Sequence, residues 1–116
     1  MRLAKKLVPH KVKKDEIDRI KKILINQVNP LRLILFGSAL SDQFCDQSDI
    51  DFLIVVNSSQ EIKEKTRKLR AYQPMSQWPV DLVWMQWSEF EKKKNLGGVA
   101  MIAHEDGVVL FDRSLP

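Results

Sequence analysis

The feature that most constrains this chain is the stretch Asp49-Ile50-Asp51-Phe52-Leu53-Ile54-Val55-Val56, where two acids lead directly into five consecutive apolar residues. A short run rich in β-branched and aromatic residues, closed by Asn57-Ser58, reads as a buried strand. Side chains alternate along a strand, so Asp49 and Asp51 leave the same face with their backbones roughly 6.5–7 Å apart. An Asp-x-Asp at a strand start is most often simply solvated. Here the apolar continuation argues otherwise, because a carboxylate beside a buried strand must find a partner or a cation.

The charge pattern sharpens the point. Residues 1–22 carry nine Lys or Arg against three acids, and residues 61–70 carry five against two. Between residues 33 and 60 there is no Lys or Arg, yet Asp42, Asp46, Asp49 and Asp51 all lie there. A like-charged cluster without internal counter-ions sits in water or holds a cation. Two carboxylates at this spacing suit hard cations, and a cation pair about 3.5–4 Å apart clamps both oxygens of a phosphoryl-type displacement. Magnesium fits that role, because it takes oxygen ligands and keeps waters beside substrate phosphates.

The rest of the chain alternates helices with strands. Asp15 is the expected N-cap of a first helix, with Ile17, Ile20, Leu24 and Val28 at helical spacing and Asn29-Pro30 as its stop. Residues 31–36 form a short apolar strand, broken by Gly37-Ser38, and residues 39–44 a brief helical turn. Residues 60–72 form an amphipathic helix with Ile62, Thr66 and Leu69 inward. Residues 80–85 form a third strand that carries one acid, Asp81. Ser88 is the expected cap of a further helix, which Gly97-Gly98 divides from residues 99–103, and residues 108–111 close the chain as a last strand. The fold expected is α/β or α+β: a small mixed β-sheet flanked by helices. If the second and third strands are neighbours, Asp81 converges on Asp49 and Asp51 as a third metal ligand or a general base. Gly37-Ser38 offers close backbone approach, free N–H groups and a hydroxyl, which together favour an anion.

With 116 residues and 13.5 kDa, the chain has room for one domain, residues 1–116, of which 1–12 read as a mobile basic arm. The net charge of +4 does not make a nucleic-acid binder, and none is expected as a partner. The single cysteine, Cys45, excludes a disulfide framework and a cysteine-built zinc site. No run approaches the roughly 18 apolar residues of a membrane span, so no membrane association is expected and a cytoplasmic location is.

Taken together, Leu35-Phe36-Gly37-Ser38, ten intervening residues, Asp49-Ile50-Asp51-Phe52-Leu53-Ile54-Val55 and the later Pro79-Val80-Asp81-Leu82-Val83 resemble the signature of the DNA polymerase β-like nucleotidyltransferase superfamily. The short chain is similar to its minimal nucleotidyltransferases over roughly residues 13–112. The resemblance implies transfer of a nucleoside monophosphate, AMP from ATP, to a hydroxyl, with pyrophosphate leaving. It implies two magnesium ions on Asp49 and Asp51, with Asp81 binding one metal or deprotonating the acceptor. It implies that Ser38 and the Gly37 backbone hold the triphosphate. It also implies a protein partner, a HEPN-type toxin neutralised by an antitoxin, in some members by attaching AMP; self-association is left open. One departure matters: where the minimal enzymes carry Arg, Arg and Gly after the Gly-Ser, this chain has Ala39, Ser41 and Asp42. Lys65 or Arg67, or a partner, would then supply the missing positive charge. The alternative is a catalytically weak or inactive antitoxin or regulatory subunit that acts by contact.

Four other features carry less. Trp78, Trp84 and Trp87 flank the third strand, and three tryptophans so close more often pack than recognise a ligand; Trp87, if exposed, would anchor a partner. His10 and His104 lack metal-ligand spacing. Cys45 has no basic neighbour to activate it. The basic N-terminal lysines read as a solvated face.

Overall fold

The computed structural model describes residues 6–113. Four strands form one mixed sheet: β1 (Arg32–Phe36), β2 (Ile50–Val56), β3 (Val80–Gln86) and β4 (Val108–Asp112), in the order β3-β2-β1-β4. β1 is antiparallel to both β2 and β4, whereas β2 and β3 are parallel. A parallel pair needs a crossover, and α2 (Ser59–Leu69) supplies it. Ser58 caps α2 by accepting from the Glu61 N–H.

The two sheet faces are filled by alternate residues of the same strands. Leu33, Leu35, Ile50, Phe52, Ile54 and Val56 pack on one side under α1 (His10–Val28) and α2. Ile34, Phe36, Leu53, Val55 and Met85 pack on the other under α3 (Trp87–Lys93) and α4 (Gly98–Asp106). The near-continuous apolar sequence of β2 follows from this burial on both faces.

Several expectations are corrected. The first helix begins at His10, after Pro9, not at Asp15. Its buried stripe runs back through Lys13, Ile17, Ile20, Leu24 and Val28, so a charged residue opens a pattern that apolar residues alone start later. Residues 6–12 accordingly do not form a free basic arm. The Val8 N–H donates to the Phe44 carbonyl (3.0 Å), the Asp46 N–H donates to the Lys6 carbonyl (3.0 Å), and Leu7 bridges to Cys45. The first five residues of that expected arm lie outside the described residues. In α2, Thr66 is exposed; Leu69 is buried, and Ile62 and Lys65 are half-buried. Ser88 lies inside α3, whose N-cap is Gln86 without a side-chain bond.

The tryptophans pack. Trp78 is buried against Phe44 (ring centroids 5.9 Å), and Trp84 packs against the first core. Trp87 is half-buried and covered by the Arg32 guanidinium, 5.0 Å from its ring centroid, so it is not the exposed anchor considered above. Arg32 also pairs with Asp112 (3.1 Å). His104 lies in the last turn of α4, edge-on to Phe90, and Cys45 is buried. Among the described residues no helix is long and apolar enough to cross a membrane.

Gly107 joins α4 to β4 where there is no room for a side chain. A Cβ there would strike the Ala103 carbonyl and the Ile34 Cγ2. Gly107→Ala is therefore expected to lower stability by at least ~2 kcal/mol, read as an earlier urea midpoint with an unchanged slope.

Candidate active site

The parallel register of β2 and β3 sets Asp51 directly opposite Asp81, and the antiparallel register of β1 and β2 sets Phe36 opposite Asp51. By strand alternation Asp51 and Asp81 share the face of Leu53, Val55 and Met85, which is the α3 and α4 face. Asp49 precedes β2 by one residue and completes the cluster. One carboxylate oxygen from each of Asp49, Asp51 and Asp81 lies within 4.8 Å of the others. The three acids that the sequence singled out thus meet at one end of the sheet.

The chain between β1 and β2 forms the neighbouring wall. Gly37–Leu40 make one 3-10 turn, which starts where β1 ends. Gly37 has φ 78°, and a Cβ at this position would collide with Oδ2 of Asp51. Glycine is required twice over, by backbone conformation and by the approach of the carboxylate. Ser38 Oγ donates to the Asp49 carbonyl oxygen (2.9 Å), which ties the turn to the head of β2. Gly37 and Ser38 therefore lie beside the carboxylates.

The electrostatics are one-sided. Among the described residues none of the three carboxylates is ion-paired, and neither Lys65 nor Arg67 is paired with them. α2 leaves from the far end of β2, away from Asp49 and Asp51. Asp51 is half-buried, and its carboxyl is pushed up to about 6. Burial is the largest cause, followed by a hydrogen bond with Asp81 and then the negative charges of Asp81 and Asp49. No basic side chain among the described residues offsets these charges.

This donor set suits a hard divalent cation. All three ligands are oxygens and the cluster is negative. A cation there would offset the mutual repulsion of the three carboxylates.

The rear of the turn is braced from α1. Lys13 Nζ donates to the Ser41 carbonyl (3.2 Å), and its ammonium lies 5.6 Å from the Phe44 ring centroid. Glu16 accepts from Arg19 Nε (2.6 Å) and Ser76 Oγ (2.5 Å), and Arg19 also donates to the Met75 carbonyl. The Arg19 hydrogen bond is the main reason that Glu16 titrates below its ordinary range. A cleft of about 370 Å³ opens behind the turn, between Lys13, Ile17, Leu35, Ala39 and Leu110. Leu35, Ile17 and Ala39 belong to the α1 side, so this cleft and the carboxylates lie on opposite sides of the sheet. Sequence reading treated Lys13 as solvated. The signal that identifies it is its spacing of four from Ile17 on the buried stripe.

A family model described as Polymerase beta, Nucleotidyltransferase matches residues 18–114. Comparisons with the curated proteins and with the solved structures gave no match.

The raised Asp51 makes metal-free stability depend on pH. A carboxyl with a higher pKa in the folded than in the unfolded state stabilises the fold while protonated, and this contribution disappears as pH rises through the folded value of about 6. In a chelator, this contribution should be lost between the ordinary value of 3.8 and about 6, lowering the melting temperature of the wild-type chain over that interval relative to Asp51→Asn. Asp51→Asn should flatten that fall, and magnesium should restore stability at the higher pH in the wild-type chain only.

Proposed function

Because the chain belongs to the polymerase β nucleotidyltransferase family, we propose that its three carboxylates and the Gly37–Leu40 turn transfer a nucleoside monophosphate from a nucleoside triphosphate to a hydroxyl. The observation that carries this reading is the meeting of Asp49, Asp51 and Asp81 within 4.8 Å, unneutralised by any basic side chain among the described residues.

In this reading Asp49, Asp51 and Asp81 hold magnesium, which when bound neutralises phosphate charge and polarises the reacting phosphorus–oxygen bonds. The turn serves the triphosphate: Gly37 lets it close on Asp51, and Ser38 offers its hydroxyl while fixing Asp49. The acceptor oxygen forms a bond to the α-phosphorus, and the bond from that phosphorus to the bridging oxygen breaks. Pyrophosphate leaves with the electron pair, and the acceptor proton passes to Asp81. Asp81 suits that task because its side chain is exposed and stands directly opposite Asp51.

For the finer identity, ATP as the donor and a protein hydroxyl as the acceptor are the assignments that the family resemblance favours. A HEPN-type toxin is the partner and the cytoplasm the location in that reading. The second reading, neutralisation of a partner by contact, is favoured by Ala39, Ser41 and Asp42, which leave the phosphate turn without a cation of its own.

The test is labelling. Purified protein, magnesium and a lysate of its source are incubated with ATP labelled at the α or the γ phosphate, beside the Asp51→Asn variant. Transfer is expected as α-label on one protein band, absent from the γ-labelled reaction and reduced at least ~100-fold in the variant. Full labelling by Asp51→Asn would contradict the assignment. An unlabelled band that is nonetheless retained by the wild-type protein would favour action by contact.

A further inference from the structure

The sequence leaves the phosphate turn without a cation, and the fold brings one to it from behind. Lys13 is 9% exposed and is the one charged side chain this buried among the described residues. Its ammonium has no carboxylate within ion-pair distance among those residues. What it has is the Ser41 carbonyl at 3.2 Å and the Phe44 ring. Burying an ammonium on these terms is unfavourable, and an apolar side chain of similar length would fill the same space at lower cost. Stability does not explain why a lysine stands here.

The hydrogen bonds beyond Lys13 suggest what does. Ser41 is the residue that closes the turn: its N–H donates to the Ser38 carbonyl (3.0 Å), while its own carbonyl accepts from Lys13. Ser38 in turn donates through Oγ to the Asp49 carbonyl (2.9 Å). A continuous path therefore runs from the buried ammonium through the turn to the head of β2. A fixed positive charge on the α1 side also adds attraction for an anion at the turn.

We propose that Lys13 is the positioning cation of the phosphate turn, holding Gly37–Leu40 in its triphosphate-binding conformation in place of arginines within the turn. This rests on the nucleotidyltransferase reading. Lys13 touches no reacting atom; it acts through Ser41 and Ser38.

The test is equilibrium binding of magnesium–ATP, by displacement of a fluorescent ATP analogue, with melting curves of the same samples. Wild type is compared with Lys13→Met, Lys13→Gln and Lys13→Arg. Both uncharged variants should bind about tenfold or more weakly, while Lys13→Met melts at or above the wild-type temperature. Lys13→Arg should recover binding to within about threefold, because a guanidinium keeps the charge and reaches the same carbonyl. Wild-type affinity in a folded Lys13→Met or Lys13→Gln would overturn the inference and leave the nucleotidyltransferase reading standing. Loss of affinity that merely follows loss of melting temperature, without recovery in Lys13→Arg, would overturn it as well. Failure of the wild-type chain to bind magnesium–ATP would overturn both.

Discussion

Asp51 and Asp81 face each other across the parallel β2–β3 ladder because the register allows nothing else. Shifting β3 by one residue would turn Met85 out of its core and carry Asp81 to the α1 face, away from Asp51, so apolar packing on both faces of the sheet fixes where the charges meet. Packing thus holds two repelling carboxylates opposite each other, with Asp49 beside them, and burial together with these neighbours pushes the Asp51 carboxyl up. The free energy of the hydrophobic core is used to maintain an electrostatically unfavourable cluster. Natural proteins keep such conflicts where a ligand resolves them.

Around that cluster the turn is held from several sides. Gly37 permits it to lie against Asp51, Ser38 bonds it to the head of β2, and Lys13, set over Phe44, bonds it from behind at Ser41. Trp78 packs on Phe44, while Glu16, Arg19 and Ser76 tie α1 to the segment entering β3. Both acid-bearing strands are therefore anchored to the same helix. A site that must bind a small cation within tenths of an ångström benefits from such bracing, since loosened ligands lose coordination geometry before they lose stability.

Much of this was legible in the sequence because it depends on short-range pattern. The four strands follow from brief apolar runs between breakers, and the convergence of Asp49, Asp51 and Asp81 follows from alternation once β2 and β3 are neighbours. What sequence misread were residues whose role is set by distant contacts. Lys13 looks like a member of a basic arm until Phe44 and Ser41 close over it. Thr66 fits the apolar stripe of α2 by spacing, yet Lys65 is the more covered residue there. Gly107 gives no sign in sequence of its contact with Ile34, which only the packing of α4 on the sheet creates. The acceptor of the transferred group depends on a second molecule, and no pattern within the chain encodes it.

The central claim is that the three carboxylates exist to hold divalent metal, and manganese can report on this directly. Crystals grown with manganese and an ATP analogue that resists transfer would be measured at the manganese absorption edge. Anomalous density is expected between Asp49, Asp51 and Asp81, with a metal–oxygen distance of about 2.2 Å and loss of the peak in Asp51→Asn. A well-ordered site without anomalous density, or manganese bound elsewhere with the three carboxylates left empty, would contradict it.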